Sequence, residues 1–251
     1  MLALRSFLFN AAFYLNLVAW MLVCIPSFLI PRKAFMRVAQ AWSASSLWLL
    51  KVIAGTRVEF RGLERIPPGG LLIAAKHQSV WETFALVTVL DDPAFVLKRE
   101  LMWIPFFGWY QAKASMVPID RRAGASALTL MNRRAREEAE RGRQIIIFPE
   151  GTRRAPGAEP AYKFGVAHLY GSLDVPCVPV ALNSGLYWPR RSFRRRPGTI
   201  VVEFLEPIPP GLPRDVFYAR LKRELEAASD RLVDEGRRSL GEDAPAPVLR
   251  S

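Results

Sequence analysis

Two patterns of hydrophobicity divide the chain. Residues 7–30 carry no charge over 24 positions. At about 1.5 Å of rise per residue, the part before Pro26 makes a helix of about 28 Å, close to the thickness of a bilayer's hydrocarbon core. Pro26 and the step Pro31-Arg32-Lys33 interrupt it. A second, partly apolar helix follows over residues 38–54, with Trp42, Trp48 and Lys51 along it. From Arg57 onward the period changes to short apolar runs separated by turn residues and longer helical segments. The pattern predicts strands over 57–60, 71–75, 94–98, 115–119, 144–148, 177–182 and 199–205, and helices over 80–90, 124–141 and 214–237. Strands alternating with helices define an α/β layered domain, with a central mixed, mainly parallel sheet flanked by helices. The chain therefore divides into two N-terminal membrane-anchoring helices (1–55), a globular domain (56–240) and a loose tail (241–251).

The anchor admits two arrangements. Either the first helix spans the bilayer, or both helices form a hairpin sunk in one leaflet with the tryptophans at the interface. A cleaved signal fits less well, because the apolar run exceeds an ordinary signal core and no clean A-x-A site follows. Arg5 precedes the run, whereas Arg32, Lys33 and Arg37 follow it, which places the body on the cytoplasmic side of an inner membrane.

A net charge of +12 points to an anionic partner: phospholipid head groups, a phosphorylated substrate or nucleic acid. No recognisable nucleic-acid module accompanies it. Cys24 and Cys177 make no disulfide framework, and with only His77 and His168 in the chain a histidine-rich metal site is excluded.

Three stretches carry candidate chemistry. The first is LLIAAKHQSVWE, where a strand breaks into Lys76, His77, Gln78 and Ser79 before a new apolar segment. A strand-to-helix junction fixes a loop residue and offers unpaired amides. His77 there can take a proton near neutral pH, and a carboxylate on its other ring nitrogen would fix the tautomer. Glu82 is the nearest candidate, at the third helical position if Ser79 caps. The same Ser79 and Glu82 also spell a capping box, in which Glu82 would serve the Ser79 amide instead. The second stretch is QIIIFPEGTRR, a buried strand running into Glu150, Gly151, Thr152 and Arg153. Gly151 would let amides approach a ligand, and Arg153 offers a planar fork for phosphate oxygens. Between these lie Lys98 and Arg99 at a strand end, then the aromatic segment 103–109, a candidate lining for an acyl-chain groove.

In order, these stretches resemble the four blocks of the 1-acylglycerol-3-phosphate acyltransferase family over about residues 57–205. His77 to Glu82 looks like its H-x4-D block, with glutamate in place of the aspartate. Residues 98–108 resemble the second block, FPEGTR the third, and VPCVPV (175–180) the fourth. The resemblance implies acyl transfer from acyl-CoA or acyl-carrier protein to the hydroxyl of a lysophospholipid, without cofactor or metal. It assigns His77 as general base with Glu82 as its partner, and amides near the helix start as oxyanion donors. Glu150, Gly151, Thr152 and Arg153 would hold the glycerol-phosphate, with Lys98, Arg99 and Arg121 as further contacts. Another lyso-lipid acceptor, such as lyso-ornithine lipid, or a non-catalytic membrane-tethered lipid-binding protein, are the alternatives. The five arginines in residues 189–197 would press the domain onto the bilayer or meet an acidic acyl-carrier protein.

Overall fold

The computed structural model describes residues 1–120 and 124–246. One sheet contains β1 (Thr56–Arg61), β2 (Leu71–Ala75), β3 (Pro93–Lys98), β4 (Val117–Ile119), β5 (Gln144–Ile147), β6 (Cys177–Leu182) and β7 (Gly198–Phe204). The spatial order is β1-β7-β6-β2-β5-β3-β4. Every neighbouring pair is parallel except β6 with β7, so β1 and β7 run against the other five. The seven strands fall within two residues of their expected bounds.

The central strands are apolar throughout because helices cover both faces. Alternate residues of β2 serve opposite sides. Leu71, Ile73 and Ala75 join one core with Trp81, Phe84 and Trp188, whereas Leu72 and Ala74 join the other with Ile145, Leu169 and Leu225. Burying each leucine or isoleucine contributes about 1.5–3 kcal/mol. Pro179 has no amide for a ladder, and the antiparallel pairing of β6 with β7 begins one residue later, at Val180 opposite Phe204.

The helices are α1 (Leu2–Val23), α2 (Arg32–Leu49), α3 (Glu82–Ala85), α4 (Phe107–Lys113), α5 (Gly124–Glu140), α6 (Gly165–Leu173), α7 (Ser184–Tyr187) and α8 (Arg214–Leu240). The helix expected over residues 80–90 is mostly absent: α3 is a single turn that tightens into a 3-10 turn at Leu86–Thr88. Two local causes act there. The Thr83 and Thr88 hydroxyls bond the carbonyls of Val80 and Ala85, and Val87, Thr88 and Val89 form a β-branched run that disfavours helix.

The two N-terminal helices share the body's core rather than forming a layer apart. Phe9 and Phe13 pack edge-on against Trp188, with ring centroids at 5.2 and 5.3 Å. Arg5 donates to the Ile53 carbonyl near one end of α1, and Tyr110 of α4 donates to the Met21 carbonyl near the other. Outward-facing Leu4, Phe7, Leu8, Leu15, Val18 and Leu22 remain exposed. The arginine loop is also divided. Arg195 is buried, lies 4.3 Å from the Trp188 ring and donates to Asn10 of α1, so it holds the hairpin rather than facing outward.

Candidate active site

β2 lies between β5 and β6 and runs parallel to both, so three loops leave the sheet side by side at its carboxyl rim, the usual ligand position in open α/β sheets. The loops are cross-linked. Arg154 N donates to the His77 carbonyl at 2.7 Å, His77 N donates to Glu150 Oε2 at 2.8 Å, and Gly185 N donates to Gln78 Oε1 at 3.0 Å.

His77 Nδ1 lies 3.0 Å from Glu82 Oε1. That same oxygen accepts the amides of Gln78 and Ser79, each at 2.7 Å, while Oε2 accepts the Ser184 hydroxyl at 2.9 Å. The two readings of Glu82, histidine partner and cap, are therefore realised together in one fully buried carboxylate. The local geometry differs from expectation, since Glu82 opens α3 instead of occupying its third position, and Ser79 Oγ accepts the Trp81 amide. Oε1 already accepts two amides, which makes Nδ1–H the donor and leaves Nε2 with the free lone pair. Phe148 stacks on the ring at 4.1 Å and 18°. The His77 side chain retains 15% exposure, enough for a substrate atom to reach it. Of the amides near the helix start, which were expected to supply oxyanion donors, those of Gln78 and Ser79 are already taken by Glu82.

The FPEGTR loop splits its residues between two directions. Gly151, at φ +66°, turns the chain in the left-handed region, which favours glycine. Thr152 is exposed, and Arg153, half-buried, borders a polar cavity of about 310 Å³ together with Gln78, Arg190 and Arg191. Glu150 points the other way: it is buried, with Oε1 2.6 Å from Lys76 Nζ and Oε2 on the His77 amide. Burial pushes its carboxyl above the ordinary range, and Lys76 and the His77 amide only partly offset this. Lys98 is exposed at the end of β3. Arg99 pairs with Asp120 at 2.9 Å and lies over the Trp103 ring, so its charge is partly engaged. Arg121 lies outside the described residues.

An apolar cavity of about 150 Å³ opens between the N-terminal hairpin and the body, lined by Trp20, Met21, Met36, Thr83, Val87 and Phe95 among others. Phe107 is the one member of the expected 103–109 lining that reaches it; Trp103, Ile104, Phe106 and Trp109 are exposed. Neither His77 nor Glu82 lines either cavity, but Gln78, next to the histidine, borders the polar one and Thr83, next to the glutamate, the apolar one. Lys76, Tyr162, Ser184 and Glu226 complete the surroundings and were not anticipated. A lysine beside the histidine and a serine just beyond the VPCVPV block were the available signals, whereas nothing marks Glu226 on a helix rich in charges.

A histidine–glutamate pair on the carboxyl rim of a mainly parallel sheet, with its neighbours Gln78 and Thr83 on a cationic and an apolar cavity, suits an α/β acyltransferase. Residues 57–183 match the Acyltransferase family. Over 175 residues the chain is 41% identical to the 1-acyl-sn-glycerol-3-phosphate acyltransferase of Pseudomonas aeruginosa, covering 69% of this chain and 68% of that one. It is 31% identical over 162 residues to the alpha form from Mus musculus, covering 63% of this chain and 57% of the mouse protein. The crystal structure of the 1-acyl-sn-glycerophosphate acyltransferase PlsC from Thermotoga maritima has the same fold, with a TM-score of 0.77 over 94% of this chain and 98% of that one, at 24% identity. The chain belongs to the 1-acylglycerol-3-phosphate acyltransferase family and is an O-acyltransferase.

Proposed function

We propose that the protein transfers a fatty acyl chain from acyl-CoA or acyl-carrier protein to the sn-2 hydroxyl of 1-acylglycerol 3-phosphate, forming phosphatidic acid. The observation that carries this reading is the His77–Glu82 pair, whose neighbours Gln78 and Thr83 border the cationic and the apolar cavity. His77 Nε2 takes the hydroxyl proton as the oxygen attacks the thioester carbonyl. The tetrahedral intermediate collapses, and the departing thiolate recovers that proton from the imidazolium, so no acyl-enzyme, metal or cofactor is required. Glu82 steadies the cation that forms on the ring between these steps. Arg153, with Arg191 and with Arg190 donating to the Arg153 carbonyl, offers the acceptor's phosphate a cationic wall, and Lys98 stands further along the rim. The apolar cavity is a place for an acyl chain entering from the membrane.

The hairpin lies in one leaflet, with the body on the cytoplasmic face. Both ends of α1 are bonded to the body, Ser6 Oγ accepting the Arg195 amide and the Met21 carbonyl accepting the Tyr110 hydroxyl, and crossing the bilayer would tear one of them away. Cysteines placed at Leu4 and Leu29, both exposed, should react with an impermeant reagent from the same side of the membrane; labelling from opposite sides would restore the spanning helix.

The chemistry is tested by following thiol release and product with acyl-CoA and acyl-carrier-protein donors against 1-acylglycerol 3-phosphate, other lysophospholipids and lyso-ornithine lipid. His77→Ala should cut turnover with the preferred acceptor by about 100-fold or more. Full turnover in that variant would remove the general-base mechanism, and preference for an acceptor without a terminal phosphate would reassign the substrate.

A further inference from the structure

Beside His77, and lining neither cavity, lies a cluster that the transfer chemistry does not use. Lys76 Nζ stands 2.6 Å from Glu150 Oε1 and 2.7 Å from Glu226 Oε1, and the Tyr162 hydroxyl donates to the same Glu226 oxygen at 2.7 Å. The ammonium also lies 5.3 Å from the Tyr162 ring centroid. Lys76 and Glu150 are 5% and 2% exposed. The second Glu150 oxygen accepts the His77 amide. The cluster therefore runs from α8, through the end of β2 and the FPEGTR loop, to the main chain of the histidine.

We propose that Lys76, Glu150, Glu226 and Tyr162 are positioning residues that hold His77 from its amide, and that Glu150 acts there instead of contacting the acceptor. The inference rests on His77 being the base. Both Glu150 oxygens are committed, and a carboxylate repels a phosphate. One lysine between two carboxylates makes the arrangement intolerant of losing the cation, because a buried charge without its partner is costly and shifts to reach water. Any such shift of Glu150 moves the amide it holds, and a small displacement of a catalytic group slows chemistry more than binding.

The test uses the full-length enzyme in detergent micelles, with acyl-CoA and 1-acylglycerol 3-phosphate. Lys76→Met should lower kcat about 100-fold while the acceptor KM stays within about twofold, the signature of lost transition-state positioning. Combining it with Glu150→Gln should recover about tenfold, since a glutamine still accepts the His77 amide and the charge that would be left on that amide's acceptor is gone. Glu226 keeps its Tyr162 bond and some water contact in that pair. Tyr162→Phe, which alters no charge, should lower kcat a few-fold and decides the matter if Lys76→Met fails to fold. A Glu150→Gln enzyme with unchanged kcat and an acceptor KM raised tenfold would place Glu150 on the head group and overturn the proposal, as would a double variant no better than Lys76→Met. In those cases an inactive His77→Ala enzyme keeps the base assignment standing; an active one removes both.

Discussion

Buried ionic clusters occupy both ends of the sheet, and they differ in what they leave open. At the amino end, Arg143 is fully buried before β5 and each of its five N–H groups meets an acceptor. These are Glu138 and the Ser115 carbonyl on Nη1, the Pro93 and Ala114 carbonyls on Nη2, and Asp92 on Nε. Asp92 in turn grips Arg32 of α2 through both oxygens, tying the hairpin to the body. At the carboxyl end, Lys76 and the carboxylates of Glu82, Glu150 and Glu226 are equally well paired, but they surround a histidine whose Nε2 makes no hydrogen bond among the described residues. A saturated cluster can only hold elements together. One that fixes a group on all sides but the solvent side has placed a reagent.

Deletion at each end sharpens that contrast. His77→Ala should reduce turnover about 100- to 10,000-fold, the range for a general base, while the thermal unfolding midpoint barely moves. Arg143→Met should do the reverse. It takes one donor from two carboxylates, which keep Arg32 and Arg141, and from three carbonyls, costs about 3–5 kcal/mol in urea unfolding, and leaves kcat per folded molecule unchanged. A large kinetic effect of Arg143→Met would mean that the two ends are coupled through β5. Next in size is Glu82→Gln. A glutamine can still accept the two amides, yet it offers no charge to an imidazolium, so turnover should fall about 10- to 100-fold with a loss of about 1 kcal/mol in stability. Unchanged turnover would reduce Glu82 to its capping role.

How far these contrasts could be read from the chain depends on their range. The strands were legible because LLIAA, QIII and CVPVAL are continuous apolar runs of strand length bounded by turn residues. Helix α6 was not: Val166, Ala167, Leu169, Tyr170 and Leu173 recur at helical spacing, but the element is nine residues long and carries Gly165 and Gly171, so the period is too short to stand out. The His77–Glu82 contact spans five positions and was visible locally. The contacts of Glu150 were not: a Pro-Glu-Gly-Thr-Arg turn reads the same whether its glutamate faces a ligand or the core. Lys76 and Glu226 are brought to it across 74 and 76 positions by the sheet order and by α8. Likewise, Arg190 and Arg191 read as part of one run facing the bilayer or a carrier protein, and only the fold separates them from buried Arg195.

The smallest and most discriminating effect is the sign of each cluster's response to acid. At Asp92, burial opposes ionisation, but the hydrogen bond from Arg32 and the charge of Arg143 outweigh it and hold the carboxyl below its ordinary value. A depressed folded-state value contributes stability that is present above the unfolded value of about 3.9 and is lost as pH falls through the folded one. Glu150 has the opposite sign. Its raised value contributes stability that is full below the unfolded value of about 4.3 and is lost as pH rises through the folded one. Urea midpoints for the wild type, Asp92→Asn and Glu150→Gln between pH 3 and pH 7 should therefore diverge in opposite directions. The deficit of Asp92→Asn should shrink as pH falls below about 4, where the wild type loses the same interaction. Relative to wild type, Glu150→Gln should gain as pH rises above about 4.3, because it no longer has to carry a buried negative charge. Parallel slopes for the two variants would show that the clusters are electrostatically alike, and the distinction between a holding end and a reacting end would then rest on kinetics alone.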